Sequence, residues 1–201
     1  MLISLTKRFV FICNTKTAST SLESALDLYA EIRGRLSSED KHATWQQVQA
    51  QYYFLFRERQ YRPDTFFRFG VVRDPVDWFI SWYNFRMGLK LGSPLPPDTT
   101  IESFWRMDDW VKFDKPGVKH LQKNNFCDAD GVCRFDLVLP MDMLPTHAEL
   151  LFRRLGVNTQ LPLENTSEPR VTRAMLSPAL IAEIQEFWKE DYAFIEEARA
   201  R

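Results

Sequence analysis

Glycine is scarce in this chain: there are seven in 201 residues, and the first is Gly34. A Walker A loop needs glycines where its backbone wraps a phosphate, so the first strand-to-helix junction cannot be one. An ordinary nucleoside triphosphate is therefore not the expected ligand. Cysteine is also rare, and the three present, Cys13, Cys127 and Cys133, form neither a metal set nor a disulfide framework. Cys13 reads as a small core residue. Cys127 and Cys133 flank the turn-rich stretch Asp128-Ala-Asp-Gly-Val132, which would bring them together as thiols in a reducing cytoplasm. An excess of either charge is missing as well, with 26 Lys plus Arg against 27 Asp plus Glu. That balance leaves no footprint for nucleic acid or an acidic membrane, so recognition of any polyanion falls to a local patch. No apolar run is long enough to span a bilayer, and the opening Met1-Leu-Ile-Ser-Leu-Thr-Lys-Arg8 lacks a signal-peptide core. A cytoplasmic location without membrane partners is expected.

What is present suits one compact domain covering residues 1–201, since 45% hydrophobic content at this length buries a full core. Sixteen Phe and six Trp make that core aromatic. Apolar periodicity predicts strands at Arg8 to Cys13, Phe66 to Val72 and Phe135 to Leu139. It predicts helices at Ser19 to Gly34, Trp45 to Tyr61, Pro75 to Leu91, Lys115 to Asn125, Asp142 to Leu155 before Gly156, and Ser177-Pro178 to about Ala198. Gly92-Ser-Pro-Leu-Pro-Pro-Asp98 reads as a loop. The alternation implies an α/β fold: a central parallel sheet flanked by helices, with ligands at the carboxyl ends of the strands.

Two strand ends carry the chemistry. The first is Phe9-Val-Phe-Ile-Cys-Asn-Thr-Lys-Thr-Ala-Ser-Thr-Ser-Leu22, an apolar run leading into a lysine among small hydroxyl residues and then a helical pattern. A strand that turns tightly into a helix points unpaired N–H groups at one spot, where the helix dipole adds positive potential. Lys16 adds a full charge. The hydroxyls of Thr15, Thr17, Ser19, Thr20 and Ser21 are further donors, and a plain capped helix after a buried strand is the alternative. The second is Phe66-Phe-Arg-Phe-Gly-Val-Val-Arg-Asp-Pro-Val-Asp-Trp-Phe-Ile-Ser-Trp-Tyr83. Here Arg73 ends a strand, Asp74 takes the N-cap position and Pro75 suits the first helical turn. Ser81 follows about two turns later, so an anion above the sheet edge would meet both Arg73 and Ser81. An Arg73–Asp74 ion pair with Ser81 on a solvated face is the alternative reading.

Together the two segments resemble the sulfotransferases that use 3′-phosphoadenosine 5′-phosphosulfate (PAPS). Thr15-Lys-Thr-Ala-Ser-Thr-Ser21 is similar to the family's 5′-phosphosulfate loop, especially that of the heparan sulfate 2-O-sulfotransferases, and Val72 to Ser81 resembles its 3′-phosphate element. Gln122, the Phe135 strand and the Asn165-Thr-Ser167 turn add weaker similarity. The resemblance implies a P-loop-NTPase-like sulfotransferase fold, PAPS as co-substrate, adenosine 3′,5′-bisphosphate (PAP) as product and no metal. It implies Lys16, Thr17, Ala18, Ser19, Thr20, Ser21, Arg73 and Ser81 as nucleotide ligands, and a hydroxyl of a carbohydrate or small molecule as acceptor. Since many animal members carry a membrane anchor, its lack points to a bacterial enzyme or a trimmed chain.

In-line sulfuryl transfer builds charge on the leaving phosphate oxygen while the acceptor loses a proton, so positioning and electrostatics do most of the work. Lys16 is placed to stabilise that oxygen. For the base, His42 lies where related enzymes place a His or Glu; His120 is the second candidate, Glu39 and Asp40 the carboxylate ones, and His147 reads as structural. Arg170 and Arg173 are candidates for a phosphate or for a polar connector. Trp78, Trp82, Tyr83, Phe85, Trp105 and Trp110 either stack on an acceptor or fill the core. Two rival classes stand beside the transferase: a magnesium-dependent small-molecule kinase, and a binding module that keeps the fold without chemistry. Nothing in the sequence sets an oligomeric state.

Overall fold

The structure, a computed structural model, describes residues 1–34, 37–88, 94–107, 111–162 and 169–200 of the chain. Among the described residues the strands are β1 (Leu2–Ser4), β2 (Phe9–Ile12), β3 (Ile32–Arg33), β4 (Phe67–Val72), β5 (Phe113–Lys115), β6 (Val118–Lys119) and β7 (Leu137–Pro140). Among the described residues the helices are α1 (Ser19–Leu26), α2 (Ser38–Lys41), α3 (Trp45–Gln51), α4 (Tyr53–Phe56), α5 (Pro75–Arg86), α6 (Ile101–Arg106), α7 (Leu144–Leu155), α8 (Pro178–Phe187) and α9 (Lys189–Arg199). The main sheet has the order β3-β1-β2-β4-β7. Its centre, β2-β4-β7, is parallel as expected, while β1 and β3 extend it antiparallel. The fold is thus mixed α/β.

Both faces of the sheet are covered, which is why its strands are apolar throughout rather than alternating. In β2 all four residues are buried. Phe9 and Phe11 pack with Phe69 and Val71 under α1 and α7, through Leu22, Leu26, Leu151 and Phe152. Val10, Ile12 and Val138 face the other way, onto Trp45 and Val48 of α3, Phe126, and Ile195 of α9. A third cluster joins α5, α6 and α8 around Trp78, Phe79, Trp105 and Trp188. Trp188 breaks the predicted last helix into α8 and α9, adopting φ −105°, ψ 30° and burying its indole in that cluster.

Tertiary pairing overrides helical pattern at three other places. The helix expected from Ser19 to Gly34 stops at Leu26, because Ile32 and Arg33 pair with Ile3 and Leu2 of β1. The stretch from Trp45 to Tyr61 is interrupted at Tyr52 and ends in the 3-10 turn Arg59–Tyr61. Lys115 to Asn125 is a hairpin and a 3-10 turn, Gln122–Asn125, because Gly117 at φ 76° reverses the chain. Gly92, Ser93, Trp110 and the Asn165-Thr-Ser167 turn lie outside the described residues, as does the Glu39 side chain.

Gly70 sits mid-strand in β4 for a steric reason: a Cβ there would come within 2.1 Å of the Phe126 ring. Phe126 is fully buried, so the ring cannot simply move into solvent. Gly70→Ala is expected to cost about 2 kcal/mol by overpacking and to lower Tm by about 4 to 8 °C, read by calorimetry. An unchanged Tm would contradict the close approach.

Candidate functional site

The three parallel strands end on one side of the sheet, and the segments leaving β2 and β4 meet there. After Ile12 the chain runs through Cys13 and Asn14 into the loop Thr15 to Ala18, then α1. Lys16 and Ala18 adopt left-handed φ values of 59° and 58°. Alternating handedness of this kind turns successive N–H groups inward into an anion-binding concavity. The amides of Lys16 and of Ala18 to Ser21 donate to no acceptor among the described residues. Glycine is thus not needed for the loop to curl. Left-handed non-glycine residues instead carry strain, on the order of 1 to 2 kcal/mol each, of the kind that concentrates at functional sites.

Neighbours hold the curl in place. Thr17 is buried and its hydroxyl donates to the Asn14 carbonyl at 2.9 Å, so this hydroxyl acts on the loop itself. The Trp78 indole donates to the Thr15 carbonyl at 2.9 Å. Ala18 stands at the N-cap of α1 with no side-chain cap, leaving the first-turn amides open. Ser19 and Ser21 are buried and Thr20 is half-buried, and none of their hydroxyls bonds a described protein group.

Lys16 and Arg73 are brought together. The Arg73 guanidinium donates to the Lys16 carbonyl at 3.2 Å, and Lys16 Nζ lies 4.3 Å from the centre of the Phe85 ring and 5.9 Å from that of Trp82. Burial lowers the pKa of Lys16, and the adjacent Arg73 charge lowers it further. Arg73 is also pushed down by burial, with Asp77 and Asp74 opposing at longer range. The Arg73–Asp74 ion pair does not form. Asp74 instead caps α5 by accepting from Val76 and Asp77 amides, and its Oδ1 takes Arg173 at 2.9 Å and the Tyr192 hydroxyl at 3.1 Å. Arg173, also 3.3 Å from Asp77, is committed to these carboxylates rather than to a phosphate. Two half-buried cations therefore lie near one another, with no carboxylate of the described residues in contact with either.

The remaining candidates separate. His42 Nδ1 lies 2.7 Å from the Cys13 carbonyl, just upstream of the loop. A carbonyl only accepts, so Nδ1 carries the proton and Nε2 keeps its lone pair. Burial lowers the pKa of His42. His120 points elsewhere: its Nδ1 meets Asp114 Oδ1 at 2.7 Å and its ring stacks at 5.2 Å on the face of Trp78, the indole that donates to the Thr15 carbonyl. His147 Nδ1 bonds the carbonyl of Met143, the N-cap of its helix α7. Ser81 is half-buried on α5, and its hydroxyl makes no hydrogen bond to a described group. Of the aromatic candidates, Trp78, Trp82, Tyr83 and Trp105 are buried packing residues, while Phe85 is 42% exposed beneath Lys16.

Residues 1–194 match the sequence model of the sulfotransferase family. The chain belongs to that family. Sulfuryl transfer is accordingly its general activity, and the family implies a PAPS co-substrate and a hydroxyl acceptor. The match carries no preference for the heparan sulfate 2-O branch. No curated protein and no solved structure is similar enough to count as a match. Within this sulfotransferase, no described group of three His, Cys, Asp or Glu residues is arranged to hold a metal, and no described helix is long and apolar enough to cross a membrane.

Sequence reasoning passed over Asn14, Asn125, Asp191 and the anchoring of the loop by Trp78. Asn14 left a faint signal, an amide closing an otherwise apolar strand. The loop's strain gives a direct test at Ala18. Ala18→Gly should be tolerated, whereas β-branched Ala18→Val should lose about 1 to 2 kcal/mol, seen as a Tm lower by about 2 to 8 °C. Equal melting of the two variants would contradict the left-handed assignment.

Proposed function

We propose that this sulfotransferase transfers the sulfuryl group of PAPS to a hydroxyl of a carbohydrate or small molecule. The observation that carries the reading is the pair Lys16 and Arg73, half-buried and adjacent, with loop amides beside them and no carboxylate of the described residues in contact. Desolvated cations that repel one another favour an anion between them, since its charge offsets both costs. PAPS supplies an activated sulfuryl group and a second phosphate at its 3′ position.

In this reading the amides of Lys16 to Ser21 and the hydroxyls of Ser19, Thr20 and Ser21 hold the 5′-phosphosulfate. Thr17 shapes the loop through Asn14, Arg73 takes the 3′-phosphate, and Ser81 is its second donor. The acceptor oxygen attacks sulfur in line; a new S–O bond forms as the bond to the 5′-phosphate oxygen breaks, and that oxygen keeps the electron pair. Lys16 stabilises the charge growing there. His42 Nε2 receives the acceptor's proton, and its burial keeps the imidazole neutral further into the acidic range than a free histidine with a pKa of about 6.5.

Three measurements test this assignment. PAP at a hundredfold over its dissociation constant should stabilise the protein by about 2.7 kcal/mol, or about 5 to 10 °C, and Arg73→Ala should lose the shift. Stabilisation by magnesium ATP alone would instead support a kinase. Lys16→Ala should abolish turnover with a smaller loss of PAP affinity, because its main effect is on the transition state; equal losses would remove that role. For His42→Ala, PAPS binding should persist while kcat falls about 10² to 10⁴-fold. The wild-type acidic limb should lie below about pH 6.5 and vanish in the variant. An unchanged rate would move the base away from His42.

A further inference from the structure

We infer that Gln122 is a positioning residue that sets the spacing between the two anion-binding strand ends by locking Arg73 against the loop that carries Lys16. The inference rests on the reading that these ends take the two phosphates of PAP.

The parallel ladder between β2 and β4 is paired as far as Ile12 and Gly70. Asn14 and Arg73 lie beyond it, where the chain leaves the sheet. A single buried carboxamide spans the gap. Gln122 Oε1 accepts from the Arg73 amide at 3.0 Å and from Asn14 Nδ2 at 2.9 Å, and Gln122 Nε2 donates to the Arg73 carbonyl at 2.8 Å. Both peptide groups of Arg73 are thereby held by one side chain. Asn14 Nδ2 also reaches the Val71 carbonyl at 3.2 Å, and Asn125 Nδ2 bonds Asn14 Oδ1 at 3.2 Å and the Gln122 carbonyl at 3.1 Å.

Gln122 is itself anchored. Asp191 of α9, 1% exposed, accepts from the Gln122 amide at 2.9 Å and the Lys123 amide at 3.0 Å. The 3-10 turn Gln122–Asn125 thus carries a rigid polar bridge from α9 to the strand ends. Only a carboxamide fits the bridge, because the position needs an acceptor with two lone pairs and a donor together. A carboxylate would face the Arg73 carbonyl, and an apolar side chain would strand buried polar groups. With the strand ends preset, a ligand bearing two phosphates meets both sites without first ordering them.

A double-mutant cycle read as PAP affinity by calorimetry tests the coupling. Gln122→Glu should weaken PAP about tenfold or more, in line with the loss of a buried hydrogen bond. In an Arg73→Ala background, titrated at PAP concentrations high enough to saturate its weakened site, the same change should add almost nothing, while in a Lys16→Ala background the loss should persist in full. A merely structural role would cost the same in both backgrounds. That outcome, or unchanged affinity in the single variant, overturns the inference. If Gln122→Glu does not fold, Gln122→Met removes the same bonds at similar volume and enters the same cycle. Failure of the wild type to bind PAP would remove the site reading and this inference together; wild-type binding with additive losses removes the inference alone.

Discussion

The adjacency of Lys16 and Arg73 is the constraint on which the proposed site depends. Each cation is half-buried, each has its pKa lowered chiefly by that burial, and Asp74, the carboxylate next in sequence, is engaged by Arg173 and Tyr192. Pairing Asp74 elsewhere is what leaves the positive field open. A site neutralised internally would have no surplus attraction for a phosphate or a sulfate. The Arg73 contact with the Lys16 carbonyl then ties the two strand ends together at the proposed site.

Holding this arrangement needs support from every layer of the fold. The sheet places both strand ends on one side, but its ladder stops short of the proposed site residues. Polar side chains from distant segments, Gln122, Asn125 and Asp191, complete the scaffold within a buried network where unmet hydrogen bonds would be costly. Trp78 connects the loop to the aromatic cluster of α5, α6 and α8 through the Thr15 carbonyl. The left-handed conformations at Lys16 and Ala18 persist because these anchors over-determine the loop. A glycine-rich loop reaches such shapes by conformational freedom; here packing and hydrogen bonds impose them.

Much of this was legible in the chain. The parallel strands β2, β4 and β7 were visible as apolar runs, since strands buried on both faces need no alternation to be recognised. Pro75 and Asp74 announced the start of α5, and Gly156 the end of α7 at φ 63°. Helical pattern misled where short segments join a sheet or turn back: Ile32 and Arg33 pair in β3, and Phe113 to Lys119 form a hairpin. Segments this short have little periodicity of their own, and partners far along the chain decide their conformation. β1, three residues long at the very start, was passed over for the same reason.

By itself the sequence determined the family and the residue types at two strand-to-helix junctions, because apolar runs, caps and a lysine among hydroxyls are local features. It determined too that a glycine-based phosphate loop was excluded. Only the tertiary structure decided which charges meet. It separated Arg73 from Asp74, set His42 against the Cys13 carbonyl, turned His120 to Asp114 with its ring stacked on Trp78, and drew Gln122 between the strand ends. Those outcomes depend on contacts between segments distant in the chain. Their energies come from burial and hydrogen-bond geometry, which exist only once the sheet and its covering helices have assembled.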